Sequence, residues 1–120
     1  MANHFYAYIS RMRCVKRWAL MRNTEEENIQ EHSHMVAVLA HALALIRTRV
    51  FGLPTDANAV AVAALYHDAT EILTGDMPTP IKYYNPEIRD AYRKVEAVAS
   101  DKLLSMLPQE LRADYEPIIK

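Results

Sequence analysis

Residues 60–71 read Val60-Ala61-Val62-Ala63-Ala64-Leu65-Tyr66-His67-Asp68-Ala69-Thr70-Glu71, and this stretch decides how the chain is read. An apolar, alanine-rich run closes on a histidine, an adjacent aspartate and, one helical turn later, a glutamate. Core segments avoid such clusters, because every polar group needs a partner once buried. A metal ion partners them together. The stretch therefore predicts a metal site carried on a helix, with most of the chain serving to position it.

The flanks of that run predict a helix over residues 57–74, with Asp56 or Thr55 as its cap and Gly75 at its end. At about 100° per residue, Val60, Ala63, Ala64, His67 and Glu71 share one face, and Ala61, Leu65, Asp68 and Ile72 the neighbouring one. The alanines permit a second helix to approach closely.

The best candidate for that second helix is residues 29–50. Asn28 with Glu31 three residues later resembles a capping box. His32, Val36, Leu39, Leu43, Ile46 and Val50 fall within about 40° of one line. His34, Val38, His41 and Leu45 cluster on nearly the opposite face. A helix apolar on two faces is central in its domain or carries a contact surface. His34 and His41 point away from His32 and are read as packing residues. His32 heads the main stripe and becomes a ligand only if other ligands face it. The pair His67-Asp68 lies 35 residues further on. Metal–nitrogen bonds near about 2.1 Å then require the two helices to touch.

Mixed nitrogen and oxygen donors suit a borderline divalent ion such as Mn²⁺, Fe²⁺, Co²⁺ or Zn²⁺. Such an ion brings the pKa of water down to about 7. Glu71, one turn from the pair, is placed to relay protons, and Arg17 to hold an anionic substrate oxygen. Together these roles describe hydrolysis of a phosphate ester.

The remaining segments frame this site. Residues 4–15 predict a first helix with Phe5, Ile9, Met12 and Val15 as its apolar stripe. Arg17-Trp18 at its end suits either a pocket rim, with a flat ring and a guanidinium fork, or plain surface packing. Residues 22–28 read as a polar loop, and Glu25, Glu26 and Glu27 as a solvated patch. Phe51-Gly52-Leu53-Pro54 breaks the long helix. Asp76-Met77-Pro78-Thr79-Pro80 is a proline-stiffened loop beside the expected site. Asp76 there is either a turn residue or an acceptor for a substrate hydroxyl. Asn85-Pro86 starts a fourth helix with the stripe Ile88, Tyr92, Val95, Ala99, Leu103 and Met106, running to about Leu107 and stopped by Pro108. A short fifth helix, residues 109–115, would be ended by Pro117.

Composition bounds the reading. One hundred and twenty residues suffice for one domain. Only two glycines occur, which favours helices over a turn-rich β fold. A net charge of −1 lacks the basic excess that nucleic-acid polymers attract. A single cysteine excludes an internal disulfide and fits a reducing compartment. No apolar run of 18 residues is present for a membrane-spanning helix, and basic residues interrupt the N-terminal region where a signal core would lie. The expectation is a cytoplasmic protein with no membrane association.

His32 followed by His67-Asp68 resembles the HD-domain metal-dependent phosphohydrolases. Ser10-Arg11, Arg17-Trp18, Met21-Arg22-Asn23, Glu31-His32-Ser33, Tyr66-His67-Asp68-Ala69, Glu71 and Leu73-Thr74-Gly75-Asp76 with Pro78-Thr79-Pro80 resemble the bacterial 5′-deoxynucleotidase branch over essentially the whole chain. The resemblance implies an all-α, HD-like bundle, here of about five helices, and a divalent cation held by His32, His67 and Asp68. It implies a deoxyribonucleoside 5′-monophosphate substrate cleaved to nucleoside and phosphate. Arg17 would orient the phosphate and Glu71 assist the attacking water. Trp18 and Asp76, with Met77, Pro78 and Thr79, would contact the deoxyribose side and disfavour a 2′-hydroxyl, while His32 and Asp68 would also touch substrate. A homodimer is implied. The family uses a fourth ligand, an Asp on a later helix, which the resemblance places beyond Lys120; Asp101 and Asp114 come too early to match. Residues 1–120 are thus expected to be the front part of a single HD domain, without the family's C-terminal helices. Two other readings of the same residues are an HD phosphodiesterase or phosphohydrolase acting on another nucleotide, and a non-catalytic truncated HD module that binds nucleotide or a partner helix.

Overall fold

The computed structural model describes residues 4–17, 26–75 and 85–120. In chain order the α-helices are α1 (Phe5–Ile9), α2 (Ile29–Arg49), α3 (Ala57–Tyr66), α4 (Glu71–Thr74), α5 (Pro86–Ser105) and α6 (Gln109–Ile119), with a 3₁₀ segment over Ser10–Cys14. No β-strand is formed among the described residues; one isolated antiparallel bridge joins Lys16 and Asn28. The expected all-α architecture of about five helices is present, with the third helix split in two.

Local chemistry sets most boundaries where the sequence puts them. Asn28 Oδ1 accepts the Glu31 backbone N–H at 2.9 Å, and Asn28 Nδ2 donates to Glu31 Oε1 at 2.7 Å. Asp56 caps α3 through the Ala59 N–H, and Asn85 caps α5 through the Ile88 N–H, with Pro86 in its first turn. Such caps are worth about 1 kcal/mol each. Gly52 and Gly75 leave their helices at φ of 70° and 76°, the left-handed region that glycine enters without a Cβ clash.

Four expectations are corrected. The first helix does not run unbroken over 4–15: it tightens to 3₁₀ geometry after Ile9, where Ser10 Oγ donates back to the Ala7 carbonyl at 2.6 Å. The helix expected over 57–74 breaks at residues 67–70. There the His67 Nδ1 lies 2.6 Å from the Ala64 carbonyl oxygen, the acceptor that the Asp68 N–H would use in a continuing helix. His67 and Ala69 instead donate three residues back, to Ala64 and Tyr66. Helix α6 continues through Pro117 to Ile119, because a proline in the last turn forfeits only one intrahelical bond.

The fourth correction concerns which face of α2 is buried. The stripe of large apolar residues stays out: Leu39, Leu43, Ile46 and Val50 are 46–71% exposed. The buried face carries Ser33, Ala37 and Ala44, and it lies along α3, whose own buried residues are Ala57 and Ala64. Small side chains let the two backbones pack closely, and close packing carries the fold here more than side-chain bulk does. On α5, likewise, Val95 of the expected stripe is half exposed, while Tyr92, Ala99, Leu103 and Met106 are buried.

The apolar core lies beside this seam. Phe5, Ala69, Leu103, Leu104, Met106 and Leu107 form it, with Tyr66, Leu73, Leu111 and Tyr115 packed around them. Ala69 is fully buried at its centre. The core thereby grips the turn between α3 and α4, and the residues before Ala69 are turned outward. Leu103→Ala, at a position with no solvent exposure, is expected to lower unfolding free energy by about 2–5 kcal/mol in chemical denaturation. A loss under about 1 kcal/mol would place the core elsewhere.

Candidate metal centre

Helix α2 presents His32 in its first turns, and the turn after α3 presents His67 and Asp68. Each of the three offers one donor atom, and all three atoms lie within 4.8 Å of one another. His67 Nε2 is 3.0 Å from Asp68 Oδ2, and His32 Nε2 is 3.6 Å from the same oxygen. Donors bound to one ion at about 2.1 Å stand roughly 3.0–3.4 Å apart. Two imidazole nitrogens and a carboxylate oxygen are donors that suit a divalent cation; the His67–Asp68 spacing already matches, and the wider ones would close on a bound ion. Asp68 Oδ2 is the hub of the arrangement.

The surroundings prepare the donors. The His67 Nδ1–H donates to the Ala64 carbonyl, which leaves Nε2 as the ring atom facing Asp68. The break in the helix and the orientation of the ligand thus share one hydrogen bond. Asp68, by its hydrogen bond above all, raises the His67 pKa, with burial opposing and the Ala64 carbonyl and Glu71 assisting. His32 behaves oppositely: burial first, then the positive charge of Arg17, lower its pKa, with Asp68 opposing. Its nitrogen is thereby kept available as a lone-pair donor.

Arg17 reaches the site through a contact that spacing arguments overlooked. Arg17 Nη1 donates to Glu27 Oε2 at 2.7 Å, and the Arg17 backbone N–H donates to the Glu27 carbonyl at 2.7 Å. Glu27, read from sequence as part of a solvated patch, is instead the anchor of the arginine. A signal was present: Lys16-Arg17 is followed ten residues later by Glu26-Glu27, two cations meeting two anions in the same order. The outer pair, Lys16 with Glu26 at 3.3 Å, is exposed at both ends and worth little.

Glu71 opens α4 and is buried, with its charge felt at His67. Sequence reasoning placed it on one helical face with His67; the break removes that face, yet the short turn keeps the carboxylate beside the cluster. His34 takes no part in the cluster, as expected, but is exposed rather than packed, and His41 lies 3.3 Å from Asn58 Oδ1 across the α2–α3 seam. Trp18, Asp76, Met77, Pro78 and Thr79 lie outside the described residues.

Comparison with known proteins follows the same line. A family model described as 5′-deoxynucleotidase YfbR-like matches residues 4–120. A protein named 5′-deoxynucleotidase from Vibrio vulnificus is 55% identical over 117 residues, covering 98% of this chain and 60% of its own. Another of that name from Photorhabdus laumondii is 52% identical over 117 residues, covering 98% of this chain and 59% of its own. The chain thus spans about three fifths of the length of the curated relatives it matches. The crystal structure of an HD-domain phosphohydrolase from Listeria innocua superposes with a TM-score of 0.84 at 24% identity, covering 100% of this chain and 57% of its own, and shows the shared fold. By the family match and by its close relatives, the chain belongs to the YfbR-like 5′-deoxynucleotidase family, on the HD-domain fold.

Proposed function

We propose that the protein is a divalent-metal-dependent 5′-deoxynucleotidase, which hydrolyses deoxyribonucleoside 5′-monophosphates to deoxynucleoside and phosphate. The observation that carries this reading is the convergence of His32, His67 and Asp68 from two elements onto one point. These residues would hold the cation, and Mn²⁺, Fe²⁺, Co²⁺ and Zn²⁺ all suit the donor set. Bound there, the cation would supply a positive centre that acidifies water and offsets phosphate charge.

The chain's own side chains do the rest. Arg17, steadied by Glu27, holds the phosphate in place. Glu71, buried beside His67, takes the proton from the attacking water and passes it on. Trp18, Asp76, Met77, Pro78 and Thr79 are assigned to the sugar, where crowding disfavours a 2′-hydroxyl. Residues 1–120 act as the front part of one HD domain, and the fourth ligand that the resemblance implies comes from outside them. The exposed apolar stripe of α2 supports a homodimer. No helix among the described residues is long and apolar enough to cross a membrane, and we assign the protein to the cytoplasm.

Phosphate release from dAMP, AMP and a cyclic nucleotide, by the full-length protein, tests the reading. Release from dAMP should require added metal, stop with chelator and exceed release from AMP. Equal rates on dAMP and AMP would defeat the sugar assignment, and turnover of the cyclic nucleotide alone would make the protein a phosphodiesterase. Glu27→Ala is expected to raise KM for dAMP about tenfold, the scale of a charge-assisted contact. Metal content should stay at the wild-type level. An unchanged KM would remove Glu27 from the positioning of Arg17.

A further inference from the structure

A second cavity lies behind the metal centre. It occupies about 500 Å³ between the N-terminal segment and the α2–α3 pair, a volume in the range of small-molecule sites. Tyr6 and Arg13 line it from the first segment, Ser33 and His34 from α2, and Leu65 and Tyr66 from α3. Ser33 and Tyr66 each adjoin a cluster histidine in sequence, yet none of His32, His67 and Asp68 is among the residues that line the cavity.

Three features mark it as a built site. Its wall is braced by contacts: the Tyr6 and Tyr115 hydroxyls bond at 2.9 Å, and Tyr66 packs edge-on against Tyr115 with ring centroids 5.7 Å apart. Its floor holds Ser33, only 2% exposed, whose Oγ has no hydrogen-bond partner among the described residues. A buried hydroxyl without a partner is costly, and a ligand atom that displaced the contacts over it would offset that cost. Among the described residues, its lining includes a cation, Arg13, and no carboxylate. Two carboxylates, Glu27 and Glu31, line the adjoining groove on the other side of His34. An anionic group is therefore steered to the Arg13 end, and a flat apolar body to the Tyr6 and Tyr66 rings.

We propose that this cavity is a second ligand site, separate from the metal centre, for a small aromatic anion: one ring system bearing a carboxylate or phosphate. The anion pairs with Arg13, the ring lies against Tyr6 and Tyr66, and Ser33 supplies a hydroxyl at the floor.

Metal-free protein titrated with 1-naphthoate tests this, followed by backbone amide NMR shifts, and keeps the metal centre out of the measurement. Saturable shifts are expected at Tyr6, Arg13, Ser33 and Tyr66. Arg13→Gln should weaken binding at least about tenfold, the loss of one charge-assisted hydrogen bond, and uncharged 2-methylnaphthalene should bind wild type correspondingly worse. Leu43→Glu, on the exposed stripe of α2, should bind as wild type does. Shifts that do not saturate overturn the proposal. So does the reverse pattern, binding lost with Leu43→Glu and kept with Arg13→Gln, which would mean adhesion to the apolar stripe. Leu65→Trp fills the cavity; if it stays folded by circular dichroism and binds with wild-type affinity, the site is likewise refuted.

Discussion

Asp68→Ala is expected to empty the metal centre. Its Oδ2 stands 3.0 Å from one imidazole nitrogen and 3.6 Å from the other, so its removal takes away both a ligand and the anion that offsets the cation's charge. Structural zinc sites with four ligands bind with about 10–16 kcal/mol, which makes one ligand worth roughly 2.5–4 kcal/mol. Metal affinity should fall about 10²–10³-fold, and phosphate release from dAMP should fall with it. Metal content after dialysis, read by elemental analysis alongside turnover, checks both. If metal content is unchanged, the ligand assignment is wrong whatever the rate does. Folding is not at stake in the same way: Asp68 is one quarter exposed, while the neighbouring Ala69 holds the core.

Glu71→Ala is expected to separate binding from chemistry. Glu71 is buried beside His67 and lies outside the set of three converging donors. Metal content should therefore be retained while kcat falls by about 10²-fold or more, the usual scale of general acid–base catalysis. Glu71→Gln, which keeps the shape but cannot take a proton, should be slowed nearly as much. A full rate in either variant removes Glu71 from the mechanism. Loss of metal from Glu71→Ala would make it a ligand or a ligand's support instead. In Asp68→Ala, by contrast, metal and rate disappear together.

The convergence of His32, His67 and Asp68, with Glu71 buried nearby, was legible because those residue types crowd into an apolar setting that ordinary packing does not tolerate. The close α2–α3 approach was legible from the alanines of residues 57–64. The sugar-side residues, Trp18 and Asp76 to Thr79, rest on resemblance alone. Glu27 was passed over because an acidic run resembles a solvated patch until the chain folds back and sets it against Arg17. Ser33 gave no sign at all: a serine in an apolar helix looks the same in sequence whether its hydroxyl is satisfied or not.

Helix caps at Asn28, Asp56 and Asn85, glycine exits at Gly52 and Gly75, and the order of the helices were settled by residues within a few positions of one another, where local hydrogen bonds dominate. Three matters were settled only by contacts distant in the chain. The large apolar stripe of α2 was left outside because a seam of alanines and Ser33 brings the backbone of α2 closer to α3 than leucines permit. The helix ahead of Glu71 was broken because the His67 ring takes the Ala64 carbonyl while the core holds Ala69. The arginine was aimed by a glutamate ten residues away. Periodicity reports which side chains share a face; which face is covered depends on how closely the neighbouring backbone can come.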